Sequence, residues 1–238
     1  MAIEMKTALI TGGSKGIGYG IAEALIKKSV KVMITSRNAK EAGEAAARLN
    51  KLGGAEVIGI QADVRDKDSM EGAVNKLLEK WGQLDILIAN AGVGLFGSIE
   101  TLTHQQWNDT IDTNLTGVFN SVKASLDSII KSKGYIITIS SLAGTNFFAG
   151  GSAYNASKFG LTGFTQSVML DLRKHGVKVS TIMPGSVATY FNNHTPNESD
   201  NWKIQIEDIG QLVVDLLEMN PRTLPSKVEV RPSMPPGA

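Results

Sequence analysis

Tyr154 and Lys158 stand four residues apart, so on a helix they share one face, one turn from each other. A free phenol titrates at about 10 and exchanges its proton slowly at neutrality, whereas an ammonium beside it favours the phenolate. Bringing that value to neutrality takes roughly 4 kcal/mol, at about 1.4 per unit. One exposed lysine does not supply so much; a desolvated pocket would add to it. Taken alone, the pair reads equally well as a surface contact contributing a few tenths of a kcal/mol. Ser140 and Ser141 follow the apolar run 135–139, at the carboxyl edge of what reads as a strand, where ligands bind in open parallel sheets. A hydroxyl there would hold a substrate oxygen while Tyr154 moves the proton. Ser141 is the first candidate and Ser140 its competitor, with a turn-forming serine as the plainer reading of either. Asn90-Ala91-Gly92 ends another strand at the same edge. Asn114 falls inside a helical stretch, where asparagine is a poor helix former; it is an interior residue or a polar group facing the site.

A second constellation precedes the first helix. Thr11-Gly12-Gly13-Ser14-Lys15-Gly16-Ile17-Gly18 lets the backbone turn tightly and approach a diphosphate, with the free N–H groups of the helix pointing at the anion. Such a turn without a ligand is the plainer alternative. The end of the second strand then bears on which dinucleotide fits. An NAD site offers a carboxylate there for the ribose 2′-hydroxyl, and this chain reads Thr35-Ser36-Arg37-Asn38, with no acid. Arg37 and Lys15 would flank a 2′-phosphate, or they are solvated cations. The expectation is NADP(H) rather than NAD(H). Asp63, followed by Val64 at the end of the third strand, either accepts from the adenine amino group or caps the turn before Asp66.

These residues need a frame. Apolar strand-like runs at 7–11, 30–35, 57–61, 84–89, 135–139, 177–183 and 227–230 alternate with helical periodicity. That alternation predicts an α/β, three-layer, doubly wound (Rossmann) fold around a seven-stranded parallel sheet, order 3-2-1-4-5-6-7. Helices are expected over 17–28, 40–52, 153–174 and 206–219. Another should follow Asp68 and Glu71, which stand at capping-box spacing, and a long one should run from a Thr103/Gln106 capping box to about residue 131. The stretch from 186 to about 205 turns polar and aperiodic, and reads as a substrate lid. No linker or repeat divides residues 1–238, so one domain is expected.

Composition excludes several other classes. Net charge is +1 with acids and bases mixed along the chain, which gives no basic face for nucleic acid. The chain has no cysteine, so it has neither a disulfide frame nor a thiol nucleophile. His104, His175 and His194 are not at metal-ligand spacing, and no metal is expected. No apolar run is long enough to span a bilayer and no signal segment opens the chain, which leaves the cytoplasm as the expected compartment.

Together these motifs resemble those of the short-chain dehydrogenase/reductases, over almost the whole chain. The glycine motif is Thr11-Gly12 through Gly16 and Gly18; then come Asn90 to Gly92, Thr113-Asn114-Leu115, Ser141 thirteen residues before Tyr154, Lys158, and Pro184-Gly185 followed by Val187 and Thr189. The resemblance implies an oxidoreductase acting on a small carbonyl substrate. Tyr154 would be the general acid, Ser141 would orient the carbonyl, and Lys158 would bind the nicotinamide ribose and lower the tyrosine's pKa. Asn114 would hold a water in a proton relay, and Pro184 to Thr189 would contact the nicotinamide end. It also implies a homo-oligomer, a dimer or tetramer. Within the family the chain resembles 3-oxoacyl-(acyl-carrier-protein) reductases and carbonyl reductases. Its ending, Ser226 to Pro232, lacks the Val-Asp-Gly-Gly turn frequent among the former and is closer to small-carbonyl reductases or 3-hydroxy-acid dehydrogenases. Phe147, Phe148, Tyr190 and Phe191 fall in segments expected to border the pocket, which suggests an apolar-armed substrate, although some of them would serve only to pack the lid.

Overall fold

Apolar residues alternate along each central strand, and the two alternating sets face two different cores. Ala8, Ile10, Val32, Ile34, Ile86 and Ile88 face one side, and Leu9, Met33, Leu87 and Ala89 the other. The computed structural model describes residues 5–235. It has seven parallel strands in the order β3-β2-β1-β4-β5-β6-β7: β1 (Thr7–Ile10), β2 (Lys31–Ser36), β3 (Val57–Gln61), β4 (Ile86–Ala89), β5 (Tyr135–Ile139), β6 (Lys178–Pro184) and β7 (Lys227–Val230). The expected order holds. It reverses between β1 and β4, and at that switch point a crevice opens above the carboxyl edge.

Helices α1 (Gly16–Lys27), α2 (Ala39–Lys51) and α7 (Ile206–Glu218) cover one face. Helices α3 (Lys67–Trp81), α5 (Gly117–Ser132) and α6 (Ser152–Leu172) cover the other, and α4 (His104–Ile111) leads into α5. Two helix readings need correction. The cap of α3 is Asp66, not Asp68: Asp66 has extended backbone and its carboxylate accepts from the Asp68 N–H. Asp68 is already in the first turn, where its charge suits the positive helix end. The long helix begins with the expected Thr103/Gln106 capping box, but a five-residue π-helical turn, Asp112–Thr116, separates α4 from α5. Among the described residues no helix is long and apolar enough to cross a membrane.

The segment after β6 contains two short 3₁₀ turns, Phe191–Asn193 and Glu198–Asp200, and an isolated bridge between Val187 and Ile204. Buried Asp200 organises it, receiving Lys203 Nζ and His194 Nε2 at 2.5 Å each and the Asn197 N–H at 3.1 Å.

Candidate active site

The carboxyl ends of β1, β2, β4, β5 and β6 open into one cleft of about 1370 Å³. Gly12, Ser14, Lys15, Gly16 and Ile17 line one arm with Arg37 and Val64; Asn90, Ala91 and Gly92 form the middle, and Pro184, Gly185, Val187 and Thr189 come from beyond β6. Helix α1 opens onto this cleft uncapped. Lys15 at its N-cap makes no side-chain cap bond and the first turn has no acid, whereas Asn38, Asp66 and Thr103 each cap their own helix. Free N–H groups at a positive helix end fit a diphosphate. Gly12 and Gly16 have positive φ (67° and 59°), which the turn requires.

Some of the motif's members work behind the cleft. A Cβ on Gly18 would lie 2.6 Å from both Asn90 Nδ2 and the Gly12 carbonyl, so that glycine permits packing. Asn90 Nδ2 donates to the carbonyls of Thr11 and Gly12 at 2.9 and 3.0 Å, and the Thr11 hydroxyl accepts from the N–H groups of Asn90 and Ala91. The β4 loop therefore braces the glycine turn. Among the described residues, Arg37 bonds through its carbonyl, to Gln61, and its side chain lines the cleft. Asp63 lies outside the lining. Its carboxylate is held by Arg65 (Nη2 to Oδ2, 2.7 Å), which keeps it below the usual carboxylate range, and it accepts the Arg65 N–H, as a turn cap does.

Tyr154, Lys158 and Ser141 meet at the base of the other arm. Tyr154 is only 8% exposed, and burial raises its pKa, opposed by the Ser141 hydroxyl. Lys158 Nζ lies over the Tyr154 ring, 5.7 Å from its centroid, and donates to the Ile139 carbonyl at 3.0 Å. Burial lowers its pKa to about 8. Ser141 accepts the Ala143 N–H, while Ser140 is turned away, within hydrogen-bond distance of Thr162. Ser141 is thus the serine facing Tyr154. Asn114 is fully buried in the π turn: it accepts from the Val93 N–H and donates to the Val93 carbonyl and to Ser157 Oγ. Ser157 in turn donates to the Tyr154 carbonyl, so Asn114 clamps α6 to the β4 loop.

Set beside known proteins, residues 6–200 match the short chain dehydrogenase family model. The chain belongs to the short-chain dehydrogenase family. It is 34% identical to the 3-oxoacyl-(acyl-carrier-protein) reductase FabG of Staphylococcus aureus over 81% of this chain and 79% of that protein. An alcohol dehydrogenase from the archaeon Thermococcus sibiricus, complexed with 5-hydroxy-NADP, superposes with a TM-score of 0.90 at 28% identity, over 96% of this chain and 97% of that one. A metagenomic short-chain oxidoreductase in complex with NADP superposes at 0.86 with 32% identity, over 99% and 100%.

In this short-chain dehydrogenase several site residues had no sequence signal. Glu41 lines the cleft from α2, with its carboxylate 3.4 Å from the Ser36 hydroxyl, so the edge read as acid-free has one acid nearby. Asn155 donates to the carbonyls of Ala143 and Asn146 and fastens the loop after β5 onto α6. Phe96 stands edge-on to Tyr154, with centroids 5.2 Å apart. Phe148, Tyr190 and Phe191 line the cleft as expected, as does Phe147, which is 84% exposed.

Proposed function

We propose that this dehydrogenase is an NADP-dependent reductase of a ketone or 3-oxoacyl carbonyl, with Tyr154 as proton donor. The observation that carries this reading is the meeting of Tyr154, Lys158 and Ser141 in the same cleft as an uncapped helix terminus and two open cations. Gly12 to Ile17 would hold the diphosphate, Lys15 and Arg37 the 2′-phosphate, and Ala62 and Val64 would flank the adenine. Lys158 would hold the nicotinamide ribose, and Pro184 to Thr189 would support the nicotinamide end. The NADP complexes of two structural relatives support this choice of cofactor. When bound, NADPH supplies the hydride that reduces the carbonyl carbon.

The chain's own residues account for the proton. Ser141 Oγ orients the carbonyl oxygen, and Tyr154 Oη donates to it. Burial suits this direction, because it keeps the phenol protonated at neutral pH until a substrate oxygen takes the proton. Lys158, largely cationic at neutral pH, then stabilises the phenolate left behind. Asn114 holds the backbone that aims Tyr154. Residues 186–205 would close over the substrate as a lid on this one domain.

The test is NADPH and NADH oxidation with a panel of ketones and a 3-oxoacyl thioester. Tyr154→Phe should lower kcat roughly 10²- to 10⁴-fold, the usual contribution of a positioned acid, while NADPH still binds. Arg37→Ala should weaken NADPH roughly 10- to 100-fold and leave NADH unchanged, because only the former loses a charge-assisted contact. Unaltered turnover in Tyr154→Phe would sink the proposal.

A further inference from the structure

Phe96 and Phe191 flank the Tyr154 ring, and Phe148 packs on Phe96. Phe96 meets Phe148 at 5.7 Å, Phe191 at 6.3 Å and Tyr154 at 5.2 Å between centroids, with interplanar angles of 64° to 74°. Phe191 also meets Tyr154 at 5.8 Å. The three contacts of Phe96 are edge-to-face, the geometry in which one ring's positive edge meets another's negative face, and Phe191 is tilted on Tyr154 at 58°.

Glycines seat two of the rings. A Cβ on Gly94 would come within 2.2 Å of Phe191 Cε1, and one on Gly151 within 2.7 Å of Phe148 Cε2. The two loops that carry Phe96 and Phe148 are joined by a hydrogen bond from the Gly97 N–H to the Gly150 carbonyl, 2.8 Å. The rings are therefore held in place while their cleft faces stay open, at 38%, 47% and 38% exposure for Phe96, Phe148 and Phe191.

Charge is distributed along the cleft in the same sense. Lys15 and Arg37 stand open at the glycine-turn end. At the Tyr154 end Lys203 is paired with Asp200 and Arg231 with Glu229 at 3.1 Å, His194 Nε2 also meets Asp200, and Lys158 Nζ is enclosed against the Ile139 carbonyl. An anionic substrate tail would have to compete with Asp200 for Lys203 and with Glu229 for Arg231.

We infer that the substrate is a neutral aryl ketone whose ring completes this aromatic box, with Phe96 and Phe191 determining its specificity. This rests on Tyr154 being the proton donor to the carbonyl. The full chain with NADPH should be assayed on acetophenone, cyclohexyl methyl ketone, acetoacetate and acetoacetyl-coenzyme A. Acetophenone should have the highest kcat/KM. Its advantage over the saturated ring should be roughly fivefold, the contribution of an aromatic pair, and should be expressed mainly in KM. Phe96→Leu and Phe191→Leu should each erase most of that ratio; Phe148→Leu, on a half-exposed loop, serves if either fails to fold. Preference for acetoacetate or the thioester, or a ratio unmoved by all three variants, would overturn the inference while leaving the reductase reading standing. NADPH binding without turnover of any carbonyl would instead overturn that reading and this inference with it.

Discussion

The proton donor and its cation illustrate how burial changes the chemistry of two ordinary side chains. Desolvation disfavours both phenolate and ammonium, so it raises the Tyr154 pKa and lowers that of Lys158 to about 8. The phenol's upward shift comes from its own burial, and Lys158 Nζ bonds the Ile139 carbonyl. A lysine depressed from 10.5 to about 8 is carried as a cation at neutral pH at a cost of about 3 kcal/mol. The unfolded chain binds the extra proton between those two values, so this penalty fades as pH rises from about 8 towards 10.5. Wild type should therefore gain stability relative to Lys158→Met across that window, measured by denaturant titration at its two ends. Reductase turnover should fall over the same rise, as the charge that stabilises the phenolate is lost. A constant stability difference between the two proteins would refute this account of the buried ammonium.

At the scale of elements, α1 and α7 cross with their backbones almost touching. A Cβ on Gly20 would lie 2.5 Å from the Ile206 carbonyl, and one on Gly210 would lie 2.6 Å from the Gly20 carbonyl. Because α1 begins at the glycine turn, this crossing also sets where its uncapped end points. Gly20→Ala should cost about 1–3 kcal/mol, the usual effect of overpacking, and lower the melting temperature by several degrees. Weaker NADPH binding should accompany it as the turn shifts. The π turn is the other element-scale device: it sits where the α4–α5 helix carries Asn114 towards Val93 and Ser157. Interruptions of this kind recur at functional sites.

For the whole molecule, Asp200 holds the segment after β6 as one unit. Lys203 first and His194 second keep its carboxyl well below the usual carboxylate range. A depressed carboxylate contributes stability above its unfolded value of about 3.8 and loses it as pH falls through and below that value. At neutral pH the clasp is therefore fully present. Asp200→Asn should accelerate limited proteolysis within residues 186–205 roughly tenfold or more, the effect of losing a charge-assisted bond. The melting temperature should fall by less than about 4 °C, because the sheet cores do not include this network. Protection equal to that of wild type would show that the clasp does not order the segment.

What could be read from residue order was local. Period-two and period-3.6 patterns placed the strands and helices, and their alternation pointed to a parallel sheet; the order is that of the dinucleotide-binding fold. The glycine turn and the shared face of Tyr154 and Lys158 depend on neighbours in the chain, so spacing alone determined them. Local reading failed where two local solutions compete: Asp66 and Asp68 are both plausible caps, and the π turn lies inside what reads as one continuous helical stretch. Only the tertiary structure decided that Asp63 is occupied by Arg65, that Glu41 lines the cleft, that Asn114 is a clamp, and that Phe96 joins Phe148 and Phe191 beside Tyr154. The Asn114 and Phe96 contacts join loops of different strands, whereas Asp63–Arg65 and Ser36–Glu41 are near neighbours whose pairing the turn geometry decides, and desolvation and pKa depend on what surrounds a group from every side. The spacing of residues along the chain carries no record of that enclosure.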